Sequence, residues 1–506
     1  MSRQLLAMAL APLLGLFILG IGNGFLATLI TLRMDAAGES ATMIGVVSSA
    51  YFIGLALGAM VNDRLLLRIG HIRAYGSFAS LVAVTVLLQG LFFEPWAWFA
   101  LRLIGGWATV GVYLVIESWL LTSGEQKVRG RLLALYMISL YAAGVLGQLL
   151  LGVTDAMGVT APFMVIGLLA SLSVLPMAMI PRVSPLIEHA EPLPPHRLIM
   201  LTPTGVMGSF GSGMLVAAAY SLLPLYLQRI GLGVSQVGQM MAVVILGAML
   251  LQYPIGRWSD RHDRQMVLIG ISVFCVLISV AMLVLPMNTP LLIGLLFLLG
   301  GGVFALYPVA VSHAADRAPA GALVRMSQGL LLINSLGSTI SPLMISPLMT
   351  ALGDAGLFWA LGGLSAIFLA FFVWRRSVRP APIPVAPFTA TTPMSAAGAE
   401  LVVTEELIKG AMDHEHMEDL SNAVADVEVA EPLAGPPTRD EEYVQYFDEN
   451  ETDASTNTDS ETDTEASTKP DTAQALEQDL EKNSEPAPEK DSDSASERAS
   501  EMQPRR

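Results

Sequence analysis

Cysteine is all but missing: Cys275 stands alone in 506 residues, so no internal disulfide can staple the fold. It lies inside an apolar run and says nothing about redox compartment. Charge is scarce as well, with 20 Lys and Arg against 13 Asp and Glu as far as residue 380. No G-x-x-x-x-G-K-[ST] loop occurs, which removes the usual backbone cradle for ATP phosphates. No nucleophile stands at a recognisable spacing from a base. These absences speak against an enzyme, and no metal, cofactor or nucleic-acid partner is expected.

What fills the space is apolar sequence. Runs of 18 or more apolar residues recur through the first three quarters of the chain, the length needed to cross a hydrocarbon layer roughly 30 Å thick. Crossings are expected near 5–32, 42–62, 74–93, 96–120, 132–154, 160–181, 198–227, 235–256, 265–286, 290–313, 325–350 and 354–374. The first run follows Arg3 and is too long for the apolar centre of a cleavable signal, about 7 to 15 residues, so it reads as a retained helix. Twelve crossings put both termini on one side. Arg64, Arg68, Arg73, Lys127, Arg129, Arg131, Arg182, Arg197, Arg257, Arg261, Arg264, Arg317 and Arg325 fall on that side, with only Arg33 and Arg229 opposite. Positive residues stay in the cytoplasm, which predicts an inner-membrane protein with both termini cytoplasmic.

Sliding the sequence against itself by about 193 residues superposes Gly15 on Gly208, Gly20 on Gly213, Gly45 on Gly238, Gly54 on Gly247 and Arg68 on Arg261. Thr42 meets Ser235, each at an expected helix N-cap. With one residue of slippage Gly106 meets Gly300, Tyr113 meets Tyr307 and Ser118 meets Ser312. A parallel repeat of six helices predicts an all-α membrane protein of two pseudo-symmetric six-helix bundles, 1–181 and 198–379, joined by a cytoplasmic linker over 182–197, with a substrate path between them.

The most polar stretch before the tail is Gly256-Arg257-Trp258-Ser259-Asp260-Arg261-His262-Asp263-Arg264, read as a water-exposed loop between two apolar runs. Its G-x-x-x-D-R-x-x-R pattern resembles the signature loop of the major facilitator superfamily of secondary transporters. In the first half Asp63 falls opposite Gly256 and Leu67 opposite Asp260, so the acidic member is missing or displaced to Asp63, whereas Arg68, Gly70, His71 and Arg73 keep the rest of the loop. The run Arg68 to Arg73, with Glu117-Ser118-Trp119-Leu120 and Leu306-Tyr307-Pro308, resembles the YcaD-like branch of bacterial transporters. The resemblance implies alternating access, a small-molecule substrate, and a gate formed by the signature loops, with Asp260, Arg261 and Arg264 in one half and Arg68 with Glu117 in the other.

Charges inside an apolar span are costly, about 2.5 to 3.5 kcal/mol each near the bilayer centre, and the fourth crossing holds two, Arg102 and Glu117. At 100° per residue, Arg102, Gly106, Thr109, Tyr113 and Glu117 share one face, which must look into protein or water. The Arg-x-x-Gly-Gly at Arg102 resembles the family's fourth-helix motif, in which the arginine is implicated in proton coupling; the alternative is an arginine bound to helix-end carbonyls. Glu117 is either a latch paired with Arg68 or, if desolvated, a proton carrier. Asn23, between Gly22 and Gly24, is a further cavity candidate, and Tyr113 and Tyr307 are candidates for opposite walls. His313, beside Asp316 and Arg317, reads as a surface residue. So few intramembrane charges favour a neutral, amphipathic or weakly charged substrate, and export is the preferred direction.

After Arg379 the composition changes to Pro-rich and then acidic, with 8 Lys and Arg against 31 Asp and Glu beyond residue 380. Such a segment buries too little apolar area to offset ordering entropy, so 380–506 is expected to be a disordered cytoplasmic tail. Two islands, Leu401 to Met412 and Tyr443 to Phe447, are candidate docking points for a protein partner, and Asp413 to His416 a weak metal patch. The competing function class is a non-transporting receptor or scaffold acting through this tail.

Overall fold

The computed structural model describes residues 3–123, 126–179, 194–286, 288–317 and 323–378. The expected tail and most of the expected linker lie outside the described residues. Every regular element among the described residues is helical. In chain order these are α1 (Arg3–Ala36), α2 (Ala41–Ile69), α3 (His71–Leu91), α4 (Pro95–Ser123), α5 (Gln126–Asp155), α6 (Ala161–Leu172), α7 (Val174–Ala178), α8 (Pro195–Leu201), α9 (Pro203–Arg229), α10 (Val234–Arg261), α11 (Arg264–Val284), α12 (Thr289–Ala315), α13 (Leu323–Leu352) and α14 (Gly356–Val378). Twelve spans are long and apolar enough to cross a membrane, α6 and α7 together making the sixth. Helices are the expected choice because a lipid layer offers no partners for backbone amides and carbonyls.

The repeat is visible in the packing. Glycine lets two helix backbones meet where any Cβ would collide. In the first half α2 and α4 cross at Gly54, which lies against the Leu103 carbonyl, and at Gly106, which lies against the Tyr51 carbonyl. In the second half α10 and α12 cross at Gly247, against the Phe297 carbonyl, and Gly300, against the Val244 carbonyl. The same pairs of positions thus make the same contact twice. Between the halves, α2 packs on α13 and α5 on α10. There Gly45 meets Ser346 and the Pro342 carbonyl, while Gly238 meets the Gln148 carbonyl.

The charged connections differ from expectation. Residues 256–261 are not a loop but the last turns of α10, and Asp63, Arg64 and Arg68 continue α2. A helix satisfies its own backbone whatever surrounds it, so it runs on until something ends it. On the first side that residue is Gly70, at φ +80°, whose amide returns to the Leu66 carbonyl at 2.9 Å. On the second it is extended His262, followed by Asp263, whose carboxylate caps α11 by accepting from the Gln265 amide at 2.8 Å. The N-cap of α2 is Ser40 rather than Thr42, and that of α10 is Gly233 rather than Ser235. The two expected caps instead seal the halves: the Thr42 hydroxyl is 3.4 Å from that of Thr350, and Ser235 covers Gly152.

Candidate functional site

A cavity of about 80 Å³, counted as space open to the centre of a water molecule, lies between the halves. Its wall draws on α1, α2, α4 and α5 from the first half and on α9, α10 and α12 from the second. Arg102 stands on it, only 5% exposed. Glu94 starts α4 by accepting from the Ala97 amide at 2.5 Å, and the Trp98 indole donates to the Phe92 carbonyl at 2.6 Å, fixing the helix end from which Arg102 projects. Because Gly106 lets α2 approach, Tyr51 is laid beneath the arginine, its ring centre 4.3 Å from the guanidinium carbon. Two turns deeper the Asn23 amide donates to the Thr109 hydroxyl at 3.4 Å, and Thr109 donates in turn to the Gly105 carbonyl at 2.8 Å.

Arg102, Asn23 and Tyr113 therefore all line the cavity. The glycines beside Asn23 serve packing: Gly24 faces Gly144 of α5 and Gly22 faces Ile166. Tyr307 does not form the facing wall. It is buried among Leu198, Val311, Met326 and Leu330, because α8 and α13 close over that side of α12. The facing wall is made by Tyr220 and Phe304, whose rings meet edge to face at 5.5 Å, with Tyr141 from the first half. Sequence reading missed these and Tyr51. All are aromatic residues inside apolar spans, and neither their type nor the repeat separates them from core.

Glu117 lies off the cavity, 3% exposed, and accepts from the Tyr136 hydroxyl at 2.7 Å. The expected pair with Arg68 is not formed, since Arg68 is exposed on the outer side of the last turn of α2. Arg73, Asp260 and Arg261 are exposed too, Asp63 is half-buried and Gly256 is buried. Arg264 behaves otherwise. It is 1% exposed, lies 3.1 Å from Asp316 and donates to the Ser312 carbonyl, so it ties α11 to the end of α12 within one half. His313, expected at the surface, is also 1% exposed, because the start of α11 covers it and brings Arg264 near. The buried His71 meets Trp119 edge to face at 5.9 Å.

At the face away from the N terminus of α1, hereafter the distal face, the halves are tied. Arg229 of α9 reaches Asp35 of α1 at 2.9 Å and Asp354, at the start of α14, at 3.2 Å. The Thr31 hydroxyl donates to the Ser221 carbonyl at 2.9 Å, next to the cavity. Arg33 pairs with Asp155 at 2.7 Å within the first half.

The model of the Major Facilitator Superfamily matches residues 13–325 and again 206–411. An uncharacterized MFS-type transporter of Enterobacter sp. (strain 638) is 34% identical over 376 residues, spanning 73% of this chain and 96% of that relative. The uncharacterized MFS-type transporter YcaD of Salmonella enteritidis PT4 is 33% identical over 373 residues, with 73% and 96% covered. Among solved structures, the nucleoside transporter NupG matches with a TM-score of 0.60 at 15% identity, covering 74% of this chain and 99% of that one. A bacterial homolog of the human lysosomal transporter Spinster, inward-facing and unoccupied, matches with a TM-score of 0.55 at 14% identity over 80% and 99%. A doubled six-helix architecture, a cavity on the line between its halves and relatives at this level of identity lead to one conclusion: the chain belongs to the major facilitator superfamily.

Proposed function

We propose that this membrane transporter is a secondary carrier that moves a small molecule through its central cavity by alternating access. The observation supporting this most directly is the pairing of a cavity walled by both halves with a distal closure, Arg229 to Asp35, that also joins them. The distal face is taken as external and both termini as cytoplasmic. Arg33 and Arg229 are the arginines assigned to the distal face, against thirteen Lys and Arg on the other, and positive residues stay in the cytoplasm. The signature residues Asp63, Arg68, Gly70, His71, Arg73, Gly256, Asp260, Arg261 and Arg264 then sit at the cytoplasmic gate, and Arg102, Asn23 and Tyr113 at the substrate. Protons are the proposed driving ion, with Glu117 as carrier or latch, and export the proposed direction. The acidic segment beyond Arg379 is taken as an accessory that docks a cytoplasmic protein, and truncation there should leave flux unchanged.

The test uses inverted membrane vesicles containing the full chain, energised with a proton gradient and offered a broad panel of small amphipathic compounds. Accumulation that collapses when a protonophore is added is the expected result. Concentrative transport that persists without any ion gradient would remove the coupling, and absence of flux for the whole panel would remove the carrier reading.

A further inference from the structure

Among the described residues lining the cavity, Arg102 is the only charged one. It has no ion pair with a carboxylate among the described residues, and its Nε is buried without a hydrogen-bond acceptor. Its one close neighbour of opposite electrostatic character is the face of Tyr51. A buried cation without a counter-ion is among the costliest arrangements in a membrane interior, and packing alone does not require one here. On the other side of Arg102 lies a second chamber of about 10 Å³, room for one water-sized atom group, bounded by Gln89, Thr85, Thr109 and Asn23. The buried Nε2 of Gln89 also has no acceptor. Both side chains line this chamber, and one of them is cationic. Across the larger cavity the surface is aromatic, from Tyr141, Tyr220 and Phe304.

Resting on the carrier reading above, we propose that the cavity takes an organic monoanion with an apolar or aromatic body, its anionic head on Arg102 beside Gln89 and its body against Tyr220 and Phe304. A guanidinium fork and a carboxylate match in shape as well as charge, and hydrogen bonds between ionised partners are roughly twice as strong as neutral ones. The single arginine fits one negative charge rather than two. Binding the anion supplies a counter-ion for Arg102.

The test measures binding of matched compounds to the purified full chain in detergent, read as ligand-induced thermal stabilisation. Phenylacetate, 3-phenylpropionate, indole-3-acetate and octanoate are each compared with their primary amide and their amine of equal length. Carboxylates should bind at least about tenfold more tightly than amides, and amines not at all, as expected for a charge-assisted contact in a dry site. Arg102→Gln should erase the difference between carboxylate and amide. If Arg102→Gln does not give monodisperse protein, Arg102→Lys takes its place. It should keep the order of the three head groups while weakening carboxylates several-fold, because an ammonium cannot offer the planar fork. The proposal is overturned if amides or amines bind as well as carboxylates, if the preference survives in Arg102→Gln, or if no carboxylate of the panel binds. Flux of the same compounds into vesicles separates the two readings. A carboxylate that binds through Arg102 but is never moved sinks the carrier and spares the site, whereas amines moved equally by wild type and Arg102→Gln sink the site and spare the carrier.

Discussion

His71 and Arg264 occupy one position in the two halves, 193 residues apart, each the first residue of its helix and each buried against the end of another. His71 meets Trp119 by ring contact, whereas Arg264 meets Asp316 and the Ser312 carbonyl by charge. At this repeated position the contact is aromatic packing in the first half and a buried ion pair in the second. Asp316→Asn should destabilise the protein by about 3 to 5 kcal/mol, the usual cost of stranding a buried charge. His71→Leu should cost far less, about 0.5 to 1.5 kcal/mol for the lost aromatic pair. Thermal unfolding of the two purified variants in one detergent decides this, and equal losses would contradict the asymmetry.

The glycine crossings allow a second expectation. Gly54, Gly106, Gly247 and Gly300 each lie against a backbone carbonyl of the partner helix, which cannot swing aside as a side chain can. An added methyl at any of them should cost about 1 to 3 kcal/mol or more by overpacking. Gly106→Ala should also lift Tyr51 away from Arg102, so it should weaken ligand binding beyond its effect on stability. Gly300→Ala, in the other half, should lower stability alone. Melting curves with and without ligand separate the two effects.

Opening of the distal face is open to direct measurement. In a Cys275→Ser background, a cysteine at Thr31 or Ser221 becomes reactive to an external thiol reagent only when the halves part there. Asp35→Asn removes the ion pair that crosses between them and should raise the labelling rate about 1.4- to fivefold, as expected for a partly exposed pair worth about 0.2 to 1 kcal/mol. Asp354→Asn removes the tie that stays within one half and should change the rate little.

The hydrogen bond from Tyr136 to Glu117 separates the two roles open to that carboxylate. As a latch held through that hydrogen bond rather than through a charge pair, Glu117 would lose little in Glu117→Gln, because the amide oxygen still accepts from Tyr136, and proton dependence would persist. As a proton carrier it would lose proton-driven transport entirely while exchange down a gradient continued. Flux measured with and without an imposed proton gradient, in wild type, Glu117→Gln and Tyr136→Phe, distinguishes the outcomes.

The architecture was legible because membrane crossings need length and apolarity and little else, and because glycines at helix crossings recur at a fixed offset. Arg102 and Asn23 stood out for a related reason, since charge and amide are rare in apolar spans, and Tyr113 because it shares the helix face of Arg102. Tyr51, Tyr220 and Phe304 did not, since an aromatic ring facing a cavity and one facing lipid read alike. Tyr307 misled because the repeat equates places along a helix but not what covers them, and α8 covers that place. That no carboxylate among the described residues pairs with Arg102 is a fact of three dimensions alone. From the sequence, scarcity of charge argued for a neutral substrate; with that charge lining the cavity and uncompensated, the same scarcity argues for an anionic one.

Arg229 holds Asp35 across the seam and Asp354 on its own side. On the alternating-access proposal, parting of the seam releases Asp35 but leaves Arg229 with Asp354, so the arginine keeps a counter-charge in both states. The closure then rests on one partly exposed pair rather than two, worth about 0.2 to 1 kcal/mol, and the closed door is only slightly preferred.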